Sequence, residues 1–289
     1  MYLLLFIFGL MVGSFINVVS LRYAPGGRVF DTKIIGSPTD LNNRSRCPYC
    51  GKILSWYELI PIISFLIQFG KCRKCGHKLS LQYPLVEILS GLIFVFIPFY
   101  LGNYSGLFGF LGSLLWIFIF TSLLLISIID FHHFIIPDSL NLGLAIFGVI
   151  LIFVNFYYKN FSSLSGSFLG NYALIFGLRE NIWLNYLFAG FLGAAVFGLI
   201  IFLSRGKAMG MGDVKLAAAL GLIFGWPDVL MVLFLSFLSG ALVSAVLLLL
   251  KKKKIKDVVP FGPFLAVGAC LTFFFGFQVI DIYFKIFNF

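Results

Sequence analysis

Charge is what this sequence has least of. Only 11 of its 289 residues are acidic, 21 are Lys or Arg and three are His, so that charged residues make up 11%. An ordinary soluble domain carries about a quarter. Here 61% of the chain is hydrophobic and 37 positions are Phe, which excludes a soluble globular domain and reads as an integral membrane protein. The opening, Met1 to Leu21, has neither a basic n-region nor a small-residue cleavage site. It reads as a retained first span rather than a removed signal peptide. Also missing is any glycine-rich dinucleotide-type fingerprint.

What is present is a series of apolar runs. A span needs about 20 apolar residues to cross about 30 Å of hydrocarbon. The candidates are Tyr2–Leu21, Tyr83–Leu101, Leu107–Ile129, Ser139–Tyr157, Leu184–Leu203, Val214–Gly225, Val229–Leu250 and Phe261–Tyr283. The expected fold class is therefore an all-α polytopic membrane protein of about eight transmembrane helices. The sixth run is short, so it is the one expected to tilt or not to cross fully.

The basic residues orient the spans. Residues 22–82 hold ten Lys or Arg against Asp31, Asp40 and Glu58; Arg205, Lys207 and Lys215 flank the fifth-to-sixth connection; Lys251 to Lys254 and Lys256 fill the seventh. That places 18 of 21 basic residues on one side, which the positive-inside rule makes cytoplasmic, with Lys159, Arg179 and Lys285 opposite. A net charge of +10 can signal nucleic acid, but topology alone accounts for it, and no nucleic-acid partner is expected.

With so few acids, each one near lipid is a functional-site hypothesis. Asp213 lies in Gly210-Met211-Gly212-Asp213, between two glycines and an apolar run. Such glycines suit close backbone approach or positive φ. Asp130 ends the run Trp116 to Ile129 and precedes Phe131-His132-His133-Phe134-Ile135-Ile136-Pro137-Asp138. The topology puts both aspartates at the cytoplasmic membrane face, at one depth, although neither was used to orient the chain. Asp138, after Pro137, is placed to cap the fourth span. His132 and His133 read as solvated loop residues. Glu87 lies about a turn into the second span, facing either the bundle or a basic residue of the cytoplasmic segment. Asn17, near the end of the first span, reads as a hydrogen bond to a neighbouring helix.

The polar segment 22–82 contains Cys47-Pro48-Tyr49-Cys50 and Cys72-Arg73-Lys74-Cys75, each followed by Gly (Gly51, Gly76) and separated by 21 residues. Paired CxxC knuckles of this kind are a strong zinc-ribbon signal. Four thiolates close a tetrahedral structural zinc site, whereas disulfides are disfavoured in a reducing cytoplasm. Zinc would then stabilise a segment with little core. The stretch Ile53 to Leu66, broken by Pro61, reads as the ribbon's core or as an interfacial segment touching membrane lipid. Cys270, among Ala and Leu, reads as a small buried hydrophobe, and His77 as solvated.

Two carboxylates close together do not both ionise easily, so that one keeps a proton near neutral pH. The ionised member takes a proton from water and the neutral one polarises a carbonyl, which amounts to peptide hydrolysis without a covalent intermediate. Neither acid lies in an Asp-Thr-Gly context; both lie at helix ends against lipid, as suits a peptide whose hydrophobic segment is itself in the membrane.

The sequence resembles the type IV prepilin leader peptidase/N-methyltransferase family, a group of GxGD-type intramembrane aspartic peptidases. The resemblance is carried by Gly13-Ser14-Phe15-Ile16-Asn17-Val18, the two knuckles, Tyr83-Pro84-Leu85-Val86-Glu87, Ile129-Asp130 through Pro137-Asp138, Gly210 to Lys215, and Pro260-Phe261-Gly262-Pro263-Phe264. It implies cleavage after a Gly that ends a basic leader, on prepilins or pseudopilins with a hydrophobic N-terminal helix, at the cytoplasmic face of the bacterial inner membrane. Asp130 and Asp213 match the family's catalytic pair, with no metal in that site; Asp138, Gly210, Gly212, Lys215 and Glu87 are supporting candidates. The resemblance also implies methylation of the new N-terminus with S-adenosylmethionine, associated with the knuckle-bearing segment. The expected division is residues 1–21 as first helix, 22–82 as the zinc-ribbon-like and methyltransferase part, and 83–289 as the peptidase bundle.

Two other classes compete. In an ion-coupled transporter Glu87, Asp130 and Asp213 would relay ions, but both aspartates sit at helix ends and no inverted repeat is visible. In a zinc-ribbon membrane adaptor the acids would only cap helices, and Asp→Asn changes would be silent.

Overall fold

The computed structural model describes residues 1–23, 45–47, 49–102, 107–157, 167–170, 172–173, 181–206, 209–252, 254 and 257–286. Much of the polar segment (24–44 and Pro48), most of the stretch 158–180 (158–166, 171 and 174–180, with Lys159 and Arg179) and Lys207, Lys253 and Lys256 lie outside the described residues. The helices are α1 (Tyr2–Arg22), α2 (Ile63–Ile67), α3 (Gln82–Leu101), α4 (Leu107–His133), α5 (Asp138–Tyr157), α6 (Ile182–Leu203), α7 (Met211–Phe224), α8 (Asp228–Leu249) and α9 (Gly262–Ile286). A 3₁₀ turn, Trp56–Leu59, precedes α2. Each of the eight apolar runs is a helix. Six of them (α1, α3, α4, α6, α8 and α9) are long and apolar enough to cross a membrane, so this is a multi-pass membrane protein. In α5 the qualifying stretch is the shorter Asp138–Val154. At 14 residues α7 spans about 21 Å, short of the hydrocarbon thickness.

The chain divides into two compact units, Met1–Ile129 and Asp130–Phe289. In the first, α1 and α3 run antiparallel: Tyr2 meets Phe99, Phe8 meets Phe94 and Asn17 meets Tyr83. Two glycines one turn apart make the approach close. A Cβ on Gly9 would lie 2.8 Å from Gly91 Cα, and one on Gly13 would lie 2.7 Å from Glu87 Cα. Small residues at this spacing let helix backbones touch where lipid removes any hydrophobic drive for association. The interrupted stretch 53–66 forms no span. It becomes the 3₁₀ turn and α2, because Pro61 cannot continue a helix from the turn before it.

In the second unit α7 is the central element. Leu216, Ala217, Ala219, Leu220, Ile223 and Phe224 are all buried, which requires neighbours around most of its circumference. Gly148 of α5 and Gly190 of α6 both abut Leu222, and Gly193 of α6 lies against Ala217. The chain leaves α7 through Gly225 at φ +75°, whose N–H bonds to Gly221 O at 2.9 Å. The Asn185 side chain then clamps Trp226 by two bonds, Asn185 Nδ2 to Trp226 O at 2.8 Å and Trp226 N to Asn185 Oδ1 at 3.0 Å. The described part of the connection between α5 and α6 is held at the α8 N-terminus. There Asp228 accepts from Ser167 Oγ at 2.5 Å and Phe168 N at 3.0 Å, and Tyr172 stacks on Phe284 near the far end of α9.

Candidate active site

The second unit gathers the C-terminal end of α4 with the N-terminal ends of α5, α7 and α9. Apolar sequence on one side and turn residues on the other fix where these helices stop, and so where the scarce acids fall. Helix α4 runs a turn beyond the expected span end, to His133, so Asp130 lies inside the helix and His132 and His133 occupy its last turn rather than a loop. The Asp130 side chain is buried at 5% exposure, and its Oδ2 accepts the Gly262 N–H at 2.8 Å. That N–H is available because Gly262 opens α9, where the first amides have no partner in their own helix. A Cβ at Gly262 would sit 2.8 Å from the same oxygen.

Asp213 stands in the first turn of α7, half-buried, and its Oδ2 accepts from Gly210 N at 3.2 Å. A carboxylate there also complements the positive end of the helix dipole. Its charge reaches Asp130. The two carboxyls, 83 positions apart in sequence, thus share one unit, each held by one backbone N–H.

Of the two roles expected of the flanking glycines, close approach holds at Gly212 and positive φ at neither. Neither Gly210 nor Gly212 has positive φ, and Gly210 is the extended N-cap residue at φ −89°. At Gly212 the need is space: a Cβ would approach Ile136 Cβ to 3.0 Å. Asp138 begins α5 and forms an ion pair with Lys215 Nζ at 2.7 Å, with both side chains well exposed. The pair ties the α5 and α7 starts together. Sequence reasoning missed Asn141, whose Nδ2 reaches Gly212 O at 3.4 Å while its buried Oδ1 has no partner. One polar side chain a turn into an apolar run was the available signal. It also missed the Gly262 amide, although the Pro-Phe-Gly-Pro-Phe run marked a bend there.

Glu87 belongs to the first unit. It is buried at 7% exposure, accepts from Ile62 N at 2.8 Å and is bonded by Ser14. Its partners are thus a backbone amide and a hydroxyl, rather than a basic residue. Ile62 has φ +59°, costly for a β-branched residue, and the Glu87 bond helps to hold it there. Asn17 Nδ2 donates to Tyr83 O at 3.1 Å, the helix-to-helix bond expected of it.

The four cysteines converge as their spacing predicts. Cys47 Sγ lies 3.9 Å from Cys75 Sγ and Cys50 Sγ lies 3.9 Å from Cys72 Sγ, and all four sulfurs fall within 4.8 Å of one another. A tetrahedron of 2.3 Å metal–sulfur bonds has edges of about 3.8 Å, so the donor set fits zinc. The two knuckles share one backbone design. Gly51 N bonds to Cys47 O and Gly76 N to Cys72 O, and both glycines sit near φ +68°, at +67° and +69°. The Cys75 and Lys74 amides hold the Cys72 thiol down to about 6. Although the His77 amide favours the Cys75 thiolate, desolvation and the neighbouring thiols push that group up to about 11. Beside the knuckles, the Lys52 ammonium and the Ser55 N–H hold the buried Glu58 carboxyl below the usual range. The His77 ring packs 3.4 Å from that of Tyr49, and Cys270 is half-buried in α9.

Comparison with known proteins places these features. Residues 7–101 match the bacterial peptidase A24 N-terminal domain, and residues 117–245 match the type IV leader peptidase family. The chain is 34% identical to a prepilin leader peptidase/N-methyltransferase of Bacillus subtilis (strain 168), over 98% of this chain and 97% of that protein. It is 33% identical to the protein of that name from Burkholderia pseudomallei (strain K96243), over 93% and 84%. To the one from Pseudomonas aeruginosa it is 30% identical, over 95% and 90%. No solved structure matches the chain.

Proposed function

Because the chain belongs to the type IV leader peptidase family, we propose that it removes the leader from type IV prepilins or pseudopilins after Gly, at the cytoplasmic face of the bacterial inner membrane, and N-methylates the new terminus. The observation that supports the peptidase is that Asp130 and Asp213 both lie at helix ends of the second unit, each steadied by one backbone amide, with the charge of Asp213 acting on Asp130. One carboxylate accepts a proton from water as the water oxygen bonds to the scissile carbonyl carbon. The other, as the neutral acid, donates to the carbonyl oxygen. Collapse of the tetrahedral species breaks the C–N bond, and a proton passes from the pair to the departing amine. Helix ends at the membrane face suit a substrate whose basic leader is in water and whose following helix is in lipid.

Residues Asp138, Lys215, Gly210, Gly212 and Asn141 position the starts of α5 and α7 around that pair. The four cysteines would hold one structural zinc, which stabilises residues 45–79 without entering the hydrolysis. The methyltransferase reading rests on the names of the relatives and assigns that activity to the knuckle-bearing 22–82 segment, with 83–289 as the peptidase bundle. S-adenosylmethionine would supply an electrophilic methyl on a sulfonium for the freed amine.

The test is co-expression with a model prepilin and mass spectrometry of the product's N-terminus. Leader loss at Gly with one added methyl supports both activities. Cleavage without a methyl removes the second, and an intact leader removes the first.

A further inference from the structure

The first unit contains a cavity of about 570 Å³ that peptide hydrolysis does not use. It lies between the second half of α1, the start of α3 and the knuckle-bearing segment. Its volume falls in the range of about 300–1,000 Å³ typical of small-molecule and cofactor sites. Its wall is mixed. Ser14 and Asn17 come from α1, Arg46 from beside the first knuckle, Glu58 from the 3₁₀ turn and Glu87 from α3, set among apolar side chains and the Tyr83 and Phe65 rings.

Three features show a built site rather than a packing gap. First, Glu58 and Glu87 are both more than nine-tenths buried; Glu58 is paired with Lys52 Nζ at 2.7 Å, whereas among the described residues no cation pairs with Glu87, and a buried carboxyl without one is costly. Each has a backbone amide partner, Ser55 N and Ile62 N, which fixes its position, and each retains further lone pairs. Second, Asn17 is 2% exposed and its Oδ1 has no partner, although Nδ2 is anchored on Tyr83 O. A buried acceptor of this kind is satisfied by a ligand that brings a donor. Third, the wall carries acceptors and a guanidinium together. A ligand that suits it has a cationic centre, a carboxylate and an apolar flat body.

Resting on the methyltransferase reading above, we propose that this cavity is the seat of S-adenosylmethionine. That molecule has a sulfonium and an ammonium for Glu87 and the Asn17 oxygen, a carboxylate for Arg46, and an adenine for the apolar wall with its rings. The location would tie the four cysteines to methylation. Cys47 and Cys72 themselves line the cavity, so the fold of the knuckles shapes its wall. It also explains why the sequence shows no glycine-rich fingerprint, since the site is assembled from one helix end, one turn and two knuckles rather than from a single phosphate-type loop.

The test uses the full-length protein in detergent. Binding of tritiated S-adenosylmethionine is measured by filter retention for the wild type, Asn17→Leu, Arg46→Glu and the cavity-filling Leu79→Trp, each checked for monodispersity. A tenfold or greater rise in Kd in all three variants is expected, and wild-type affinity in all three overturns the site. A second measurement needs no variant: a photoactivatable azido-adenosyl analogue is crosslinked to the wild type and the label mapped by peptide mass spectrometry. Label on peptides from residues 14–22 or 45–87 supports the cavity, and label on peptides from 130–289 overturns it. A wild type that methylates but labels elsewhere defeats the location alone. A wild type that neither binds the donor nor methylates defeats the methyltransferase reading, and the cavity's assignment with it.

Discussion

Gly262 shows how a single residue without a side chain can hold a buried carboxyl, here that of the proposed catalytic Asp130. Its N–H reaches Asp130 Oδ2 at 2.8 Å, and the space a methyl group would occupy is already taken by that oxygen. Gly262→Ala must displace either the helix start or the carboxyl, and misplacement on the ångström scale costs about 100-fold. We expect prepilin cleavage to fall by about 10–100-fold with the protein still folded, read by gel-shift of the product. Asp138→Asn behaves differently. Its ion pair with Lys215 is exposed, and such pairs contribute about 0–1 kcal/mol, so the melting temperature should barely move. At this scale the sequence was legible for the acids, because charge beside lipid is rare enough to stand out. The Gly262 amide was not legible, because every non-proline residue has one and only tertiary packing selects which one points at Asp130.

Among the elements, the eight apolar helices were legible from hydropathy, since hydrocarbon forces each span to satisfy its own backbone and punishes polar interruption. Their packing was not, because it rests on where small residues meet. Gly221 of α7 lies directly against Ala189 and Gly190 of α6, leaving no room for a side chain. Gly221→Leu should destabilise the second unit by at least about 1–3 kcal/mol, seen as a lower melting temperature in detergent. Nothing lies within 4 Å of a Cβ on Gly198, so Gly198→Ala should stay within about 0.5 kcal/mol of wild type. The knuckles were legible down to their sulfurs, because a CxxC followed by Gly admits few backbone paths. The role of Glu87 was not: it depends on Ile62, a residue 25 positions earlier held at φ +59°.

At the level of the whole molecule the chain carries two devices, a carboxyl pair in residues 130–289 and a four-thiol cluster in residues 1–129. The division between them falls inside α4, a continuous helix, so no linker composition marks it. Elemental analysis of the purified protein should find about one zinc per chain, lost in a Cys47/Cys72 double Ser variant. That variant should lose methylation while cleavage persists, because the cluster holds the first unit and the carboxyls belong to the second. The most direct test of the central claim measures cleavage of one prepilin by wild type, Asp130→Asn, Asp213→Asn and the double variant. Two carboxyls acting as one water-activating unit predict that each single change lowers the rate by about 10²–10⁴-fold and that the double change is no worse. A single variant that still cleaves at near wild-type rate, or losses that multiply in the double variant, would contradict it.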